Sequence, residues 1–353
     1  MFKNKGGFNL VSKAKPTDFD WANLDFSYHD LPFRFRTFYR NGRWEEGKLV
    51  TDSQISLSEA SPSIHYGQQV FEGLKAYRRP DGGINLFRPN ENGKRMNRSA
   101  KRLLMPEFPV DRFVEAIKQV VLANKEFVPP YGTGATLYLR PLMIAIDSVV
   151  GVQPGKEYML NIYATPVGPY FKGGLTPTAF VTSQYDRAAH GGTGRAKVGG
   201  NYAASLLPGS KAHETGYSDV VYLDPIHHEY IEELGSANFF GITKLGQFLT
   251  PKSPSILPSI TKLSVLDLSK EMGLKPAQVQ ISINDLDLFA EAGAMGTAAV
   301  ISPVGSITNQ GEKHVFYSET EPGPITLKLY NRLTGIQFGT ETGPEGWVID
   351  LGK

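Results

Sequence analysis

The sequence predicts an α/β (α+β) protein of two domains, a smaller one first and a larger, β-rich one after it. The chain has 353 residues, a length that usually divides into two domains. Strand-like runs alternate with amphipathic helical segments on both sides of one stretch rich in Pro and Gly. That stretch, 166–176, is the best linker candidate, so we expect a small domain over 1–165 and a large one over 177–353.

Turn signals and apolar spacing define the elements of the first domain. Asn41-Gly42 between two β-like runs is a strong hairpin signal. Met96, Ala100 and Leu103 share one face of a helical pattern whose other face is filled by Lys and Arg. The predicted elements are an irregular arm over 1–30, short strands and turns over 33–57, helices over 90–105 and from Asp111, and strands over 135–146 and 158–165.

In the second domain, short strands surround three helices. Pro208 is expected to kink or interrupt the first of these helices, because proline has no N–H for the helix ladder. The predicted strands cover 178–185, 219–224, 229–234, 238–243 and 296–301, and the predicted helices lie near 201–214, 261–272 and 323–334.

Composition excludes several classes of protein. Hydrophobic residues make up 41% and charged residues 20%, and the net charge of +2 gives no reason to expect nucleic acid or an anionic membrane as partner. The absence of cysteine excludes disulfides, thiolate catalysis and cysteine zinc sites, and the histidines show no metal-site spacing. No apolar run reaches the roughly 18 residues of a membrane helix, so we expect a cytoplasmic, soluble protein without a metal.

Lys197 lies among five glycines in the segment 191–202, which ends at Tyr202. Glycines remove the side chains that would keep a bulky ligand from the backbone. An amine in such a crowded place loses its proton readily and forms a Schiff base with a carbonyl, which favours a pyridoxal-phosphate lysine. A phosphate loop is disfavoured because Ala196 and Val198 flank the lysine. A glycine-rich surface turn with a solvated lysine remains the plain alternative.

A pyridoxal site also needs an anion hole for its phosphate. The segment 257–262 leads into an amphipathic helix, whose start favours negative charge, and Thr261 is a plausible cap. The segment 293–298 is a second candidate cradle, and Arg88 is a candidate for bidentate pairing with phosphate. Taken singly, each of these is also consistent with an ordinary helix start, strand entry or surface arginine.

The pyridine nitrogen needs a carboxylate, and the ring oxygen needs a donor. Glu232 and Glu233 are adjacent in a predicted strand, so they point to opposite faces, and we expect one to be solvated. Spacing alone leaves both open as the partner of the ring nitrogen. Tyr202 suits the ring oxygen, with a core tyrosine as the alternative. Tyr138 and Arg140 share one face of a strand and suit a carboxylate, or else form a buried structural pair.

Taken together, these segments resemble the branched-chain amino acid aminotransferases. The resemblance runs in order from about residue 30 to the C-terminus. It is carried by the segments 63–77 (SIHYGQQVFEGLKAY), 86–89 (LFRP), 138–141 (YLRP), 191–202, 233–240 and 296–298.

The resemblance implies a two-domain fold-type IV enzyme with a pseudo-barrel second domain, acting as a homodimer with pyridoxal 5'-phosphate. It implies transfer of the amino group of leucine, isoleucine or valine to 2-oxoglutarate. It also implies roles for individual residues. Those for the cofactor are Lys197 as the covalent link, Tyr202 at the ring oxygen, Glu233 at the ring nitrogen, and Arg88 with the backbone of Ile260, Thr261 and Thr297 at the phosphate.

For the substrate, the resemblance implies that the N–H groups of Thr297 and Ala298 bind the α-carboxylate. Arg140 would meet the distal carboxylate of glutamate, and Arg187 would lie behind the lysine loop. The implied walls of the side-chain pocket are Phe33, Tyr66, Phe71, Tyr138 and Tyr170, with Val150 and Val152 contributed by the partner subunit.

The sequence departs from the family pattern in three places. The interval from Lys197 to Glu233 is one residue longer than in the mammalian pattern, which keeps Glu232 open as the partner of the ring nitrogen. Ala299 and Ser302 occupy the positions of a Cys-x-x-Cys pair in mammalian relatives, so thiol regulation is not expected. Ser259 stands where the phosphate turn usually has glycine. Two related activities, D-amino-acid aminotransferase and aminodeoxychorismate lyase, would keep the same lysine, and a non-catalytic pyridoxal-phosphate-binding or nucleotide-binding protein is the alternative from another class.

Overall fold

The structure is a computed structural model that describes residues 13–168 and 175–353. The start of the expected arm and most of the expected linker, including Tyr170, lie outside the described residues. From residue 13 to residue 30 the arm is irregular, as predicted, apart from one short 3-10 turn at Pro16–Asp18.

Eight strands in the first half of the chain form an antiparallel sheet with short helices and turns between them. The strands are β1 (Arg34–Arg40), β2 (Arg43–Trp44), β3 (Lys48–Val50), β4 (Gln69–Phe71), β5 (Leu74–Arg78), β6 (Ile84–Phe87), β7 (Thr136–Ala145) and β8 (Tyr158–Val167). The helices are α1 (Pro62–His65), α2 (Pro89–Arg102) and α3 (Val110–Ala123). α2 and α3 bury their apolar faces in the core that this sheet shares with them.

The second sheet is built from the strands that follow residue 175. These are β9 (Thr178–Thr182), β10 (Asp219–Leu223), β11 (Ile231–Leu234), β12 (Ala237–Thr243), β13 (Gln247–Pro251), β14 (Lys275–Val279), β15 (Phe289–Gly296), β16 (Val300–Asn309) and β17 (Glu312–Val315). The order β11-β10-β9-β16-β15-β12, with β12 also paired to β11, closes a six-stranded barrel. Closure leaves these strands without a free edge.

Four helices accompany the second sheet, namely α4 (Gly199–Ala203), α5 (Leu206–Glu214), α6 (Ile260–Glu271) and α7 (Pro324–Phe338). α6 and α7 pack against each other and against the sheet through an apolar core. After α7 the chain returns to the first sheet, where β18 (Val348–Asp350) pairs antiparallel with β6. The last strand therefore belongs to the sheet of the first half, although the sequence assigned all of 177–353 to the second domain.

Most of the predicted elements are confirmed. The prediction has no counterpart of β13, β14, β17 and β18 or of most of β15 and β16, and two further elements differ in detail. The strand predicted over 296–301 is wrong, because the chain turns between β15 and β16 there and Val300 takes a left-handed φ of 57°. The helix predicted over 201–214 is interrupted at 204–205, upstream of Pro208, since proline cannot donate to the carbonyl four residues earlier. Asn41 and Gly42 form the predicted tight turn, both with positive φ.

Among the described residues, no helix combines the length and the apolarity needed to cross a bilayer.

Candidate active site

Lys197 lies at a cavity of about 510 Å³ between the two sheets. Both halves of the chain contribute to its lining. The residues are Phe26, Gln69, Phe71, Gly73, Arg95, Tyr138, Arg140, Leu142, Tyr163, Lys197, Gly199, Tyr202, Glu233, Ser236, Asn238, Leu257, Ser259, Met295, Gly296, Thr297 and Ala298. A cavity of this volume with a few convergent polar groups is the form that small-molecule sites take.

The loop before Lys197 is fixed by buried polar contacts. The Asn201 side chain donates to the carbonyls of Thr193 and Ala196, both at 2.9 Å, and so ties the loop to the start of α4. Gly194 has no room for a side chain, because a Cβ there would lie 2.1 Å from the Ser255 carbonyl oxygen. The Lys197 N–H donates to Ser99 Oγ at 2.9 Å, so the backbone of the lysine is held from α2 as well.

The amine of Lys197 is enclosed by two aromatic rings. Its Nζ donates to Tyr202 Oη at 2.6 Å and lies 4.6 Å from the centre of the Phe71 ring. Burial, and to a smaller degree the nearby charge of Arg95, lowers the pKa of Lys197 to about 8. Burial also raises the pKa of Tyr202 to about 12, so the tyrosine stays neutral. The amine is therefore closer to its reactive, uncharged form than an exposed lysine.

Glu233 faces this cavity and Glu232 does not. Glu233 Oε1 accepts the Leu257 N–H at 2.5 Å and lies 3.4 Å from the Arg187 guanidinium. Burial raises the pKa of Glu233, in spite of Arg187 beside it. Glu232 lies on the other face of β11 and accepts a hydrogen bond from Ser253 at 2.5 Å. Both carboxylates are buried, so the expectation that one of them is solvated is wrong.

Arg187 joins three parts of the site. Its buried guanidinium contacts Glu233 and donates to the carbonyls of Gly194, at 3.2 Å, and Ser255. One side chain thus connects the lysine loop, the carboxylate of β11 and the segment before α6. Arg187 does not line the cavity and lies behind the lysine loop.

α6 begins one residue earlier than the predicted cap. Ser259 is the N-cap, and its Oγ accepts the Lys262 N–H at 3.3 Å, so the assignment of Thr261 as the cap is wrong. Ser259 has an ordinary φ of −70°, which explains why no glycine is needed there. Ile260 and Thr261 form the first turn of α6 and line, with Thr297, a small cavity of about 20 Å³.

The structure brings Arg95 to the cavity, and not the predicted Arg88. Arg88 donates to Ser264 Oγ at 2.9 Å and lies over the Trp347 ring, and it is not among the residues that line the cavity. Arg95, two turns further along α2, forms a buried bidentate pair with Glu72 at 2.7–2.8 Å. It also donates to the Pro258 carbonyl at 3.1 Å, just before α6. The sequence analysis missed Arg95. Its position next to the apolar Met96, on the buried side of the helix, could have indicated it.

Tyr138 and Arg140 lie together in the cavity wall, as their spacing in β7 predicts. Arg140 donates to Tyr138 Oη at 3.2 Å and lies over the Phe71 ring, while its buried Nε has no hydrogen-bond partner. Gly73 makes room for this pair, because a Cβ there would lie 2.0 Å from the Tyr138 hydroxyl. Tyr163, directly opposite Arg140 on β8, also lines the cavity, and only the strand register reveals it.

Four predicted pocket residues are outside this wall. Val150 and Val152 are each 86% exposed, and Phe33 and Tyr66 are also exposed. The Tyr66 hydroxyl donates to the Val150 carbonyl, so the loop that carries the valines is tied to the segment after α1. Phe33 and Tyr66 therefore do not line the cavity of the described chain, although the resemblance implies that they wall the pocket.

In the part of the chain that the structure describes, no three His, Asp or Glu side chains are arranged to hold a metal ion. Glu291, for example, is a buried carboxylate that accepts the N–H groups of Ile325 and Thr326 at the start of α7. The acidic groups near the cavity are likewise engaged with arginine, serine or backbone N–H groups.

Comparisons with known proteins agree with this geometry. The family model "Amino-transferase class IV" matches residues 69–307. The branched-chain-amino-acid aminotransferase of Haemophilus influenzae is 56% identical over 95% of this chain and 99% of its own length. The solved Escherichia coli branched-chain amino acid aminotransferase is 29% identical, with a TM-score of 0.77 over 93% of this chain and 100% of its own.

A branched-chain aminotransferase from Thermoproteus uzoniensis, solved with norvaline, is 25% identical, with a TM-score of 0.75 over 90% of this chain and 99% of its own. The similarity extends over nearly the whole chain in sequence and in fold, and it includes the segment that carries Lys197. The chain belongs to the branched-chain amino acid aminotransferases, within the class IV aminotransferase family.

Proposed function

We propose that this protein transfers the amino group of leucine, isoleucine or valine to 2-oxoglutarate, reversibly, with pyridoxal 5'-phosphate as its cofactor. The observation that carries the proposal is the enclosed amine of Lys197 in one cavity with the buried carboxylate of Glu233 and the guanidinium of Arg140. The donor set fits the cofactor, because an amine, a carboxylate and a helix start are the groups that its aldehyde, ring nitrogen and phosphate require.

The residues that would hold the cofactor come from both halves of the chain. Lys197 would bind it covalently, Glu233 would pair with the ring nitrogen and Tyr202 would meet the ring oxygen. The first turn of α6, at Ile260 and Thr261, offers backbone N–H groups to the phosphate. Among the arginines we assign Arg95 to this end rather than Arg88, because Arg95 lines the cavity and touches the residue before Ser259.

The chemistry divides between the cofactor and the chain. Bound pyridoxal 5'-phosphate supplies an aldehyde for the amino group and a ring that spreads the negative charge formed at the substrate Cα. Lys197 would act as general base and acid. It would take the proton from the substrate Cα and give it to the cofactor carbon that is bonded to the transferred nitrogen. Its lowered pKa suits this task, because a group that takes and gives a proton works best near neutral pH.

Other residues of the cavity wall would hold the substrate. The N–H groups of Thr297 and Ala298 would receive the α-carboxylate. The rings of Phe71, Tyr138 and Tyr163 suit an aliphatic side chain, whereas the unpaired Nε of Arg140 suits the distal carboxylate of glutamate. One pocket would in this way accept both an apolar and an acidic substrate.

Two exposed valines support a homodimer. Val150 and Val152 protrude from the loop after β7 and lie outside the cavity of their own chain. An exposed apolar pair on a loop fastened by Tyr66 suits a contribution to the pocket of a partner subunit.

The test of the proposed function is a kinetic panel of amino donors with 2-oxoglutarate. We expect leucine, isoleucine and valine to be the best donors and D-alanine to be inactive. Arg140→Leu should lower kcat/KM for glutamate and 2-oxoglutarate about 10- to 100-fold, because a charge-assisted pair is lost, and should affect leucine far less. The exposed Arg43→Leu is the matched control. Equal losses for all substrates would contradict the role of Arg140, and turnover of D-alanine alone would contradict the function.

The lowered pKa of Lys197 predicts a pH dependence for reconstitution. In protein freed of cofactor, the ammonium loses its proton as the pH rises through about 8, so the reactive amine accumulates above that value. The rate of combination with pyridoxal 5'-phosphate, followed by absorbance, should therefore rise from pH 6 and level off above about pH 8. At pH 6 it should be about 100-fold below the plateau, since each unit below the pKa costs a factor of ten. A plateau first reached above pH 10 would show an ordinary, solvated lysine.

A further inference from the structure

A second buried amine, Lys75 on β5, stands behind the cavity wall. Its side chain is 4% exposed, and none of the ion pairs among the described residues involves it. The hydrogen bond found for it in this part of the chain goes from Nζ to the Ala298 carbonyl, at 3.2 Å. Burial lowers its pKa to about 8. A buried ammonium without a carboxylate is costly, so its position calls for a reason beyond packing.

The wall in question is the turn between β15 and β16. Thr297 and Ala298 line the large cavity on one side of this turn. On its other side Ala298 lines a cavity of about 100 Å³, and Lys75 lines the same cavity. The turn is thus a thin partition with the substrate space on one side and the amine of Lys75 on the other.

The turn has an unfavourable backbone conformation that needs support. Val300 has a φ of 57°, which is rare for a residue branched at Cβ. Two successive carbonyls of the turn are held by side chains, since Lys75 donates to Ala298 and Ser302 Oγ donates to Ala299 at 2.9 Å. Holding these carbonyls fixes the peptide planes of the turn. Such conformations persist only where the surroundings impose them, and they cluster at functional sites.

We propose that Lys75 is a positioning residue for substrate binding, which holds the Ala298 carbonyl so that the N–H groups of Thr297 and Ala298 face the cavity. The inference rests on the proposed function, in which these two groups receive the α-carboxylate. Lys75 does not touch the substrate and acts through the turn. Its positive charge also lies directly behind the place of the carboxylate, where few water molecules screen the attraction.

Ligands with and without a carboxylate separate this role from a general one. The test uses the holoenzyme and three variants, Lys75→Met, Lys75→Arg and the control Tyr330→Phe, which alters another residue of the same small cavity. Binding is measured for 4-methylpentanoate, which carries the carboxylate, and for 3-methylbutylamine, which lacks it. Kinetics with leucine give KM and kcat separately.

We expect Lys75→Met to weaken 4-methylpentanoate binding and to raise the KM for leucine at least about tenfold, because an ion-assisted hydrogen bond is lost behind the binding turn. The affinity for 3-methylbutylamine and the kcat at saturating leucine should change far less. Lys75→Arg should restore most of the carboxylate affinity, and Tyr330→Phe should leave the binding of both ligands unchanged.

The inference is overturned if Lys75→Met weakens the binding of both ligands equally, or if it leaves the affinity for 4-methylpentanoate at the wild-type value. Should Lys75→Met fail to fold, Lys75→Gln replaces it, and the same loss of affinity for 4-methylpentanoate is expected. Wild-type affinity in Lys75→Gln would overturn the inference. A wild-type holoenzyme inactive with every branched-chain donor would instead disprove the proposed function itself.

Discussion

Replacing Lys197 with alanine is expected to lower the transamination of leucine with 2-oxoglutarate by about 10³-fold or more. The substitution removes both the covalent attachment of the cofactor and the group that moves the proton at Cα. The fold should survive, because the backbone of this position is held by Ser99, while the Asn201 side chain fastens the loop independently. The measurement is steady-state turnover of purified protein loaded with pyridoxal 5'-phosphate.

The matched control is Lys244→Ala, which removes an exposed lysine far from the cavity lining and should keep full activity. Reduction of the wild-type holoenzyme with borohydride, followed by peptide mass mapping, should place the cofactor on the peptide that contains Lys197. Lys75 is the informative competitor, since burial lowers its pKa to about 8 as well. A label on Lys75, or substantial turnover by Lys197→Ala, would show that the reacting amine has been misassigned.

The second large effect is expected from Arg95→Met. Removing one partner of a buried ion pair leaves Glu72, which is fully buried, with an uncompensated charge, at a cost of about 3–5 kcal/mol in the free energy of unfolding. The Asn92 side chain, which donates to Glu72 Oε2 at 2.8 Å, offsets only part of this. The same variant should bind pyridoxal 5'-phosphate more weakly, because the guanidinium lies at the phosphate end of the proposed site.

Arg88→Met is the comparison variant, since it deletes the arginine at the start of the same helix. It loses one hydrogen bond to Ser264 and a contact with the Trp347 ring, which predicts a smaller cost of about 1–3 kcal/mol. Urea unfolding measures the loss of stability in both variants, and cofactor titration shows which arginine contributes more to cofactor binding. If Arg88→Met weakens cofactor binding more than Arg95→Met does, then Arg88 holds the phosphate, as the resemblance implies, and our assignment of Arg95 is wrong.

The sequence predicted best those parts of the site that are local in the chain. Lys197 and Tyr202 share one short glycine-rich segment, and Tyr138 and Arg140 share one face of β7, so their neighbourhood follows from spacing alone. Strand alternation requires that only one of Glu232 and Glu233 faces the cavity. That it is Glu233 depends on the pairing of β11 in the barrel, which the spacing does not give.

Features that depend on packing between distant segments were beyond the sequence. The choice between Arg88 and Arg95 depends on the rotation of α2 about its axis and on Glu72 from another strand. The turn before Val300 was predicted as a continuous strand because Thr297, Val300 and Ile301 favour strands. The contacts that mark it as a turn come from Lys75 and Ser302, which hold the Ala298 and Ala299 carbonyls. The burial of Glu232 likewise depends on Ser253, twenty-one positions away.

The return of β18 to the first sheet gives the two sheets a second connection through the chain. The chain crosses from one sheet to the other after β8 and crosses back after α7, and the ladder between Val348–Asp350 and β6 locks the second crossing. With two connections between the sheets instead of one, rotation of one sheet relative to the other is more restricted. Reactants should therefore enter and leave through movements of side chains and surface loops, and cutting off the last six residues should loosen the gap between the lobes.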